Sequence, residues 1–195
     1  MERIRVMLVE DDSFWRDHIS GDLADEPDIQ VAGVAATKEE AIELASKQDL
    51  DVILMDINLT GNNLDGLDAA EQILHQERNR SVKIIMLTSI TEAEVIMKSF
   101  RLGAMNYINK SSYRDILNAI REANSGRASI HPDAARAMRS EVQLMELSPT
   151  EREVFELRRS GMSKREISER LHKSTNTIKT QLRSIKNKLT HFKMD

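Results

Sequence analysis

IRVMLVEDD, residues 4–12, decides the fold, because a nearly unbroken apolar run ends abruptly in three acids. Three later runs end in a similar way: VILM at Asp56, IIML at Thr88, and YI at Asn109-Lys110. Short apolar runs between helix-like segments are typical of strands in a parallel sheet that is buried on both faces. Ligands of such sheets bind beyond the carboxyl ends of the strands. The sequence therefore brings acids, a hydroxyl group and a lysine to one edge of the predicted sheet.

Five strand–helix units are predicted within residues 1–126. Capping-box patterns indicate that helices start after Thr37 and Thr91, and Gly103 is expected to end the second of these helices. Repeated strand–helix units predict right-handed crossovers, with helices on both faces of the sheet. The predicted strands are Ile4–Val9, Ile29–Ala35, Val52–Met55, 84–88 and 106–108, and the predicted helices are 14–24, 38–47, 66–77, 92–102 and 113–124.

The polar residues at the strand ends match the pattern of a known family. In order and at similar spacings, they are Glu10-Asp11, Asp56, Thr88, Gly103-Ala104, Tyr107 and Lys110. This pattern resembles the response-regulator receiver domain over residues 1–126. The resemblance implies a flavodoxin-like α/β fold with a parallel five-stranded sheet of order 2-1-3-4-5. It also implies that a partner sensor histidine kinase phosphorylates Asp56.

Mg²⁺ is the expected cofactor. The resemblance implies that Asp11 and Asp56 hold the ion, that Glu10 assists, and that the carbonyl group of Asn58 completes the set. Carboxylate and carbonyl oxygens are suitable ligands for Mg²⁺. Glu10 stands where the family usually has Asp, and its longer side chain can bind the metal through water. Asp12 is expected to begin the first helix.

Thr88, Lys110 and Tyr107 complete the expected site. Thr88 and Lys110 are expected to hold the phosphoryl oxygens, although either residue has a plainer alternative as a loop cap or a surface lysine. Their position at strand ends, beside several acids, favours the functional interpretation. Tyr107 stands where the family has an aromatic switch, and ordinary partial burial is an equal alternative. Movement of Thr88 toward a phosphoryl group would make room for Tyr107 and shift residues 92–102.

The loop over residues 57–65 departs from the family pattern. Thr60 stands near a position that usually holds Pro, and Gly61-Asn62-Asn63 indicates an insertion of about two residues. Without the fixed φ of Pro, this loop is expected to be more mobile. The departure affects the expected rate and lifetime of phosphorylation more than the chemistry.

The charge is distributed unevenly along the chain. Residues 1–126 carry 13 Lys and Arg against 23 Asp and Glu, a net charge of −10, whereas residues 147–195 carry 12 against 6, a net charge of +6. A basic segment on an acidic body indicates an anionic partner, usually a nucleic acid. A solvated basic surface is the alternative from composition alone.

A small all-α domain is predicted over residues 147–195, after a linker over 127–146 that contains a helix from Pro132. Helix starts are indicated by capping-box patterns at Ser148 and Ser163 and by a cap at Ser174. The third helix, to about residue 189, carries one apolar stripe. Two helices joined by a short turn form the helix-turn-helix layout. The stripe consists of Ile178, Leu182, Ile185 and Leu189.

The segments LSPTEREVFEL, SGMSKREISERL and STNTIKTQLRSIKNKL resemble the DNA-binding domain of NarL/LuxR-type regulators. The resemblance implies that Lys179, Thr180 and Arg183 face bases in the major groove of double-stranded DNA. It places four residues nearer the phosphates, namely Lys173, Thr175, Thr177 and Lys186. Residues 190–195 are too few for the family's dimer-forming helix, so we expect the receiver to form a homodimer through residues 92–124, more tightly when phosphorylated.

The leading hypothesis is a phosphorylation-controlled transcription regulator that accepts a phosphoryl group without being a turnover enzyme. A Mg²⁺-dependent phosphatase with an Asp nucleophile is a second hypothesis, but Asn58 stands where such enzymes have an acid. A DNA-binding regulator that no longer needs phosphate is a third. The chain has no Cys and no apolar run of membrane-spanning length. With the first strand predicted at Ile4, we expect no signal peptide and a cytoplasmic protein.

Overall fold

The computed structural model describes residues 3–61, 64–127 and 130–189. The chain divides into two compact units, Met1–Met138 and Arg139–Asp195. In the described ranges, no helix has the length and apolar character needed to cross a membrane.

The first unit is built on a parallel sheet of order β2-β1-β3-β4-β5, which confirms the predicted fold. Successive strand residues point to opposite faces, so Met7 and Ile53 lie in one core cluster while Val6 and Leu54 lie in another. Burial on both faces explains why β1, β3 and β4 read as nearly continuous apolar runs. The strands are β1 Ile4–Val9, β2 Ile29–Ala35, β3 Val52–Met55, β4 Lys83–Thr88 and β5 Asn106–Asn109.

Helices cover both faces of the sheet. They are α1 Ser13–Ala24, α2 Lys38–Lys47, α3 Asp65–Leu74, α4 Ala93–Arg101 and α5 Ile116–Asn124. Short 3₁₀ segments occupy Glu77–Asn79 and Lys110–Asp115. The predicted ends at residues 77 and 113 were therefore wrong, because 3₁₀ turns replace the α-helix there.

Side-chain caps start two of these helices as the sequence indicates. Asp12 accepts a hydrogen bond from the amide of Trp15, and Thr37 accepts one from the amide of Glu40. The Glu40 carboxylate reaches the amide of residue 36 instead of that of its own cap. The capping box predicted at residues 91–94 is wrong, because Glu92 is the N-cap of α4 and makes no side-chain capping bond. Gly103 ends α4 with a φ of 100°, as expected.

The second unit is a cluster of three short helices that follow the end of α6, Pro132–Leu144. They are α7 Pro149–Arg159, α8 Lys164–Arg170 and α9 Thr175–Lys188. Both predicted capping boxes are present, at Ser148 and at Ser163. Ile178 and Ile185 of the predicted stripe are fully buried in the core of this unit. Residues 190–195, on which the expected loss of a dimer helix depends, lie outside the described residues.

Candidate functional site

The carboxyl edge of the sheet holds an ion-pair cluster at the ends of β1, β3 and β5. The Lys110 ammonium donates hydrogen bonds of 2.8 Å to Glu10 Oε1 and of 2.8 Å to Asp56 Oδ2. All three side chains are buried, with exposed fractions of 0% for Glu10, 4% for Asp56 and 6% for Lys110. Buried charges need partners, so one ammonium group compensates two carboxylates here.

The electrostatics of the cluster oppose full ionisation of its acids. Burial, followed by the charge of Asp56, raises the pKa of Glu10 to about 7, although the hydrogen bond from Lys110 acts against the rise. Burial alone would lower the pKa of Lys110, but the hydrogen bonds to Asp56 and Glu10 outweigh burial and raise it. Lys110 is therefore a cation at neutral pH, while Glu10 titrates near neutrality.

Glu10, Asp11 and Asp56 can supply a metal site. One carboxylate oxygen from each lies within 4.8 Å of the others. Glu10 Oε2 is buried and lies 2.7 Å from the Lys110 nitrogen, but it makes no hydrogen bond of good geometry. Asp11 is exposed and leaves the cluster open to solvent. Oxygen ligands with spare lone pairs fit a hard divalent cation, so these side chains are suitable for Mg²⁺.

Asn58 contacts the cluster through its backbone amide. Its amide donates a 3.3 Å hydrogen bond to Asp56 Oδ1, and its own side-chain oxygen is buried without a partner. Asp56 is thus held at both oxygens, by Lys110 on one side and by a backbone amide on the other. The expected role of the Asn58 carbonyl as a metal ligand stays a prediction.

Thr88 and Tyr107 lie behind this edge, each only 1% exposed. The Thr88 hydroxyl accepts a 3.3 Å hydrogen bond from the amide of Ile90. The Tyr107 hydroxyl donates a hydrogen bond to the carbonyl of the same residue, and burial raises its pKa. Tyr107 is therefore more deeply buried than the ordinary partial burial that the plainer interpretation of the sequence assumed.

Three neighbours of the cluster were missed in the sequence. A Cβ atom on Gly66 would lie 1.8 Å from the carbonyl oxygen of Asp56, so only glycine allows α3 to start this close to β3. Arg16 donates to the carbonyl oxygens of Glu10 and Asp11, at 3.1 and 2.9 Å. The Lys110 nitrogen lies 5.8 Å from the centre of the Trp15 ring. No local motif marks Arg16 or Trp15. Gly66, in contrast, directly follows Asp65, the last residue of the loop over residues 57–65.

The loop expected to be mobile is partly tied down. Asp65 accepts a 2.9 Å hydrogen bond from the amide of Leu59 and another from the hydroxyl of Thr60. These bonds fix the two sides of the loop at its base. Asn62 and Asn63, which carry the predicted insertion, lie outside the described residues.

The second unit presents a polar and basic face on α9. Lys179, Thr180, Arg183 and Lys186 are exposed, opposite the buried stripe of the same helix. Two further predicted residues, Thr175 and Thr177, are exposed in its first turn, whereas Lys173 is half-buried before it. The structure thus brings most of the predicted interface residues to one open helix surface.

Glu151, which the sequence suggested only as a capping residue, also ties α7 to α9. Its carboxylate accepts hydrogen bonds of 2.7 Å from the Ser184 hydroxyl, 2.7 Å from the Lys188 ammonium and 2.9 Å from the Ser148 amide. Lys188, followed by Ser184 and Ser148, lowers the pKa of Glu151 to about 2. One buried acid therefore sets the position of the exposed α9 face relative to α7.

Comparisons with known proteins agree with this division of the chain. Residues 6–121 match the response regulator receiver domain, and residues 141–189 match sigma-70 region 4. The response regulator protein VraR of Staphylococcus aureus (strain NCTC 8325 / PS 47) is 33% identical over 192 residues, covering 95% of this chain and 90% of VraR.

Two solved structures are also similar. A LuxR-family two-component response regulator from Aurantimonas sp. SI85-9A1 is 27% identical with a TM-score of 0.65, covering 72% of this chain and 98% of that chain. RcsB from Salmonella enterica serovar Typhimurium, solved bound to a promoter in the presence of phosphomimetic BeF₃⁻, is 23% identical with a TM-score of 0.67. That match covers 96% of this chain and 92% of that chain and supports the fold. The chain belongs to the response regulators, with a receiver domain followed by a helix-turn-helix domain.

Proposed function

We propose that Asp56 accepts a phosphoryl group from a sensor histidine kinase and that its phosphorylation controls DNA binding by α9. The family and the two domains make the chain a phosphorylation-controlled transcription regulator, and the residue roles are the proposal. The observation that carries it is the buried Asp56 carboxylate, which is bonded to Lys110. One of its oxygens lies within 4.8 Å of a carboxylate oxygen of Glu10 and of Asp11, close enough for the three to share a metal ion. This is the arrangement that phosphoryl transfer to a carboxylate requires.

The chemistry follows from neutralising charge and aligning the attacking oxygen. Mg²⁺, held by Glu10, Asp11, Asp56 and the Asn58 carbonyl, would offset the repulsion between these acids and a phosphoryl donor. Lys110 supplies a second positive charge beside the attacking carboxylate. The amide of Asn58 fixes the rotation of that carboxylate through Oδ1.

Thr88 and Tyr107 would then carry the signal away from the site. Thr88 is expected to donate its hydroxyl proton to a phosphoryl oxygen, while the same oxygen atom already accepts a bond from the amide of Ile90. The carbonyl of Ile90 is also the acceptor for Tyr107. The β4–α4 loop therefore joins the two residues, and movement of one is felt by the other.

DNA recognition would use the open face of α9. Lys179, Thr180 and Arg183 are proposed to face bases, whereas Lys173, Thr175, Thr177 and Lys186 contact phosphates. RcsB has been solved bound to DNA, and the shared fold is consistent with this use of α9. A single helix-turn-helix binds one half-site weakly, so we propose a homodimer formed through residues 92–124 of the receiver.

The central test is phosphorylation of the full chain by a small phosphodonor with Mg²⁺. The wild type should gain one phosphoryl group and Asp56→Asn none, while the matched surface variant Asp49→Asn should label normally. EDTA should abolish labelling. Labelling of Asp56→Asn at the wild-type rate would contradict the assignment.

Two further readouts separate the competing functions. Continuous release of inorganic phosphate, at many turnovers per chain, would favour a phosphatase. DNA affinity and sedimentation that do not change when beryllofluoride binds would favour a phosphate-independent regulator. If the proposed function is correct, neither result should be seen, and beryllofluoride should tighten both dimerisation and DNA binding.

A further inference from the structure

The start of α6 is fastened to both ends of β5. The amide of Asn109 donates a 2.9 Å hydrogen bond to Asp133 Oδ2, and the amide of His131 donates a 3.0 Å bond to Asn106 Oδ1. The His131 ring lies between two acids, with Nε2 3.0 Å from Asp115 Oδ2 and Nδ1 3.0 Å from Asp133 Oδ2. We call this set of five residues the clasp.

Apolar burial supports the clasp. Ala134 is fully buried and Ala137 is 8% exposed, and both belong to the core cluster that contains Tyr107 and Ile96. The first two turns of α6 are therefore part of the first unit, whose boundary falls at Met138. The sequence predicted a helix from Pro132 here, but as part of a linker over 127–146.

The clasp is continuous with the phosphorylation site. Asn109, whose amide it binds, directly precedes Lys110, the residue that bonds Glu10 and Asp56. Asn106 Oδ1 also accepts a 2.8 Å hydrogen bond from the amide of Tyr107. The strand that carries Tyr107 and leads directly into Lys110 is thus held at its start and at its end by α6.

We propose that Asp133 is a positioning residue for Lys110, so that the clasp weakens binding of a phosphoryl group at Asp56. This inference rests on the proposed phosphorylation of Asp56. Phosphoryl oxygens compete with Glu10 for the Lys110 ammonium, and the backbone at the end of β5 sets where that ammonium can reach. The clasp tethers the backbone one residue before Lys110 and therefore resists movement of that backbone.

Reciprocity gives the proposal a second consequence. If the clasp weakens phosphoryl binding by some factor, phosphoryl binding must loosen the clasp by the same factor. The start of α6 would therefore be released from the receiver when Asp56 is modified. Phosphorylation would in this way act directly on the helix that leads into residues 139–195.

The test is beryllofluoride binding to the full chain in Mg²⁺, followed by the fluorescence of Trp15, the single tryptophan. Asp133→Leu removes the acceptor for Asn109 and should tighten binding about three- to tenfold, the range of a coupling carried by one or two hydrogen bonds. Asp133→Asn keeps an acceptor oxygen and should stay closer to the wild type. His131→Phe should shift binding in the same direction as Asp133→Leu, and the exposed control Glu39→Leu should not shift it.

Hydrogen exchange over residues 130–138 provides the reciprocal measurement. Beryllofluoride should reduce protection there in the wild type by the factor by which Asp133→Leu tightens its binding. The role of the clasp would be overturned, but not the phosphorylation of Asp56, if beryllofluoride bound Asp133→Leu and His131→Phe no more tightly than the wild type. Unchanged hydrogen-exchange protection of residues 130–138 in the wild type would have the same meaning. Failure of beryllofluoride to bind the wild type would overturn the phosphorylation of Asp56 as well.

Discussion

Mg²⁺ binding to the receiver should depend on pH through Glu10. Because burial and the charge of Asp56 raise the pKa of Glu10 to about 7, protons compete with the metal for this side chain near neutrality. At pH 6 only about a tenth of Glu10 would be ionised, so the apparent affinity should be about tenfold below its value at high pH. A glutamate with an ordinary pKa would change this affinity by only a few per cent between pH 6 and pH 8.

The same pKa fixes the sign of a stability effect. The folded-state pKa of Glu10 lies above its ordinary value of 4.5, so its contribution to stability is present below pH 4.5 and is lost as the pH rises through about 7. The loss is at most roughly 3 kcal/mol, since one pKa unit corresponds to about 1.4 kcal/mol. Mg²⁺ should restore stability above pH 7, because it binds the ionised form.

Trp15 allows the metal affinity to be measured without a label, since its ring lies 5.8 Å from the Lys110 nitrogen. Fluorescence titration with Mg²⁺ at pH 6 and pH 8 should give dissociation constants that differ about tenfold. Glu10→Gln has nearly the same shape but cannot titrate, so its two constants should agree. Equal constants for the wild type, or the same tenfold difference in Glu10→Gln, would refute the reasoning.

Three other predictions follow from the geometry. Gly66→Ala places a Cβ atom against the Asp56 carbonyl, so urea unfolding should show a loss of about 1–3 kcal/mol; a neutral result would mean that α3 can shift freely. Glu151→Gln removes the charge that holds Lys188 and should lower both the DNA affinity and the stability above pH 4.5. In the wild type the stability that this charge contributes is lost only as the pH falls toward 2, so an unchanged acid-unfolding profile in the variant would contradict the prediction. Lys186→Ala should lower the salt slope of DNA binding by about 0.9 on every sequence, whereas Arg183→Ala should cost about 1–3 kcal/mol and relax one base preference; the reverse pattern would exchange their roles.

The sheet was predictable because its signals are local. A strand buried on both faces is almost entirely apolar, so β1 and β3 have the predicted bounds. The edge strand β2 also has its predicted bounds, although it is partly exposed. Polar residues at the carboxyl ends of β1, β3, β4 and β5 mark the functional edge, so the sequence predicted that Asp56 and Lys110 lie close together. Caps such as Asp12 and Ser148 also act within one helical turn and were predicted correctly.

The features that were missed lie in loops or between distant segments, where the sequence carries no periodic signal. The box at residues 91–94 failed because the β4–α4 loop delays the helix start to Ala93. The helix expected from residue 113 starts at Ile116, after the chain leaves β5 in 3₁₀ turns. The clasp joins Asp133 to Asn109 across 24 residues, and no periodicity in either segment indicates that pairing.

Charge balance orders the events at the phosphorylation site. The carboxylates of Glu10, Asp11 and Asp56 face one ammonium group, so the fully ionised site is anionic and repels a phosphoryl donor. We therefore expect a divalent cation to bind before the phosphoryl donor, and its binding would favour the ionised form of Glu10. Lys110 bonds both Glu10 and Asp56, and it directly follows the strand that Asp133 holds through Asn109. We therefore expect an event at the metal site to act on α6 through two adjacent residues, Lys110 and Asn109, by way of the end of β5.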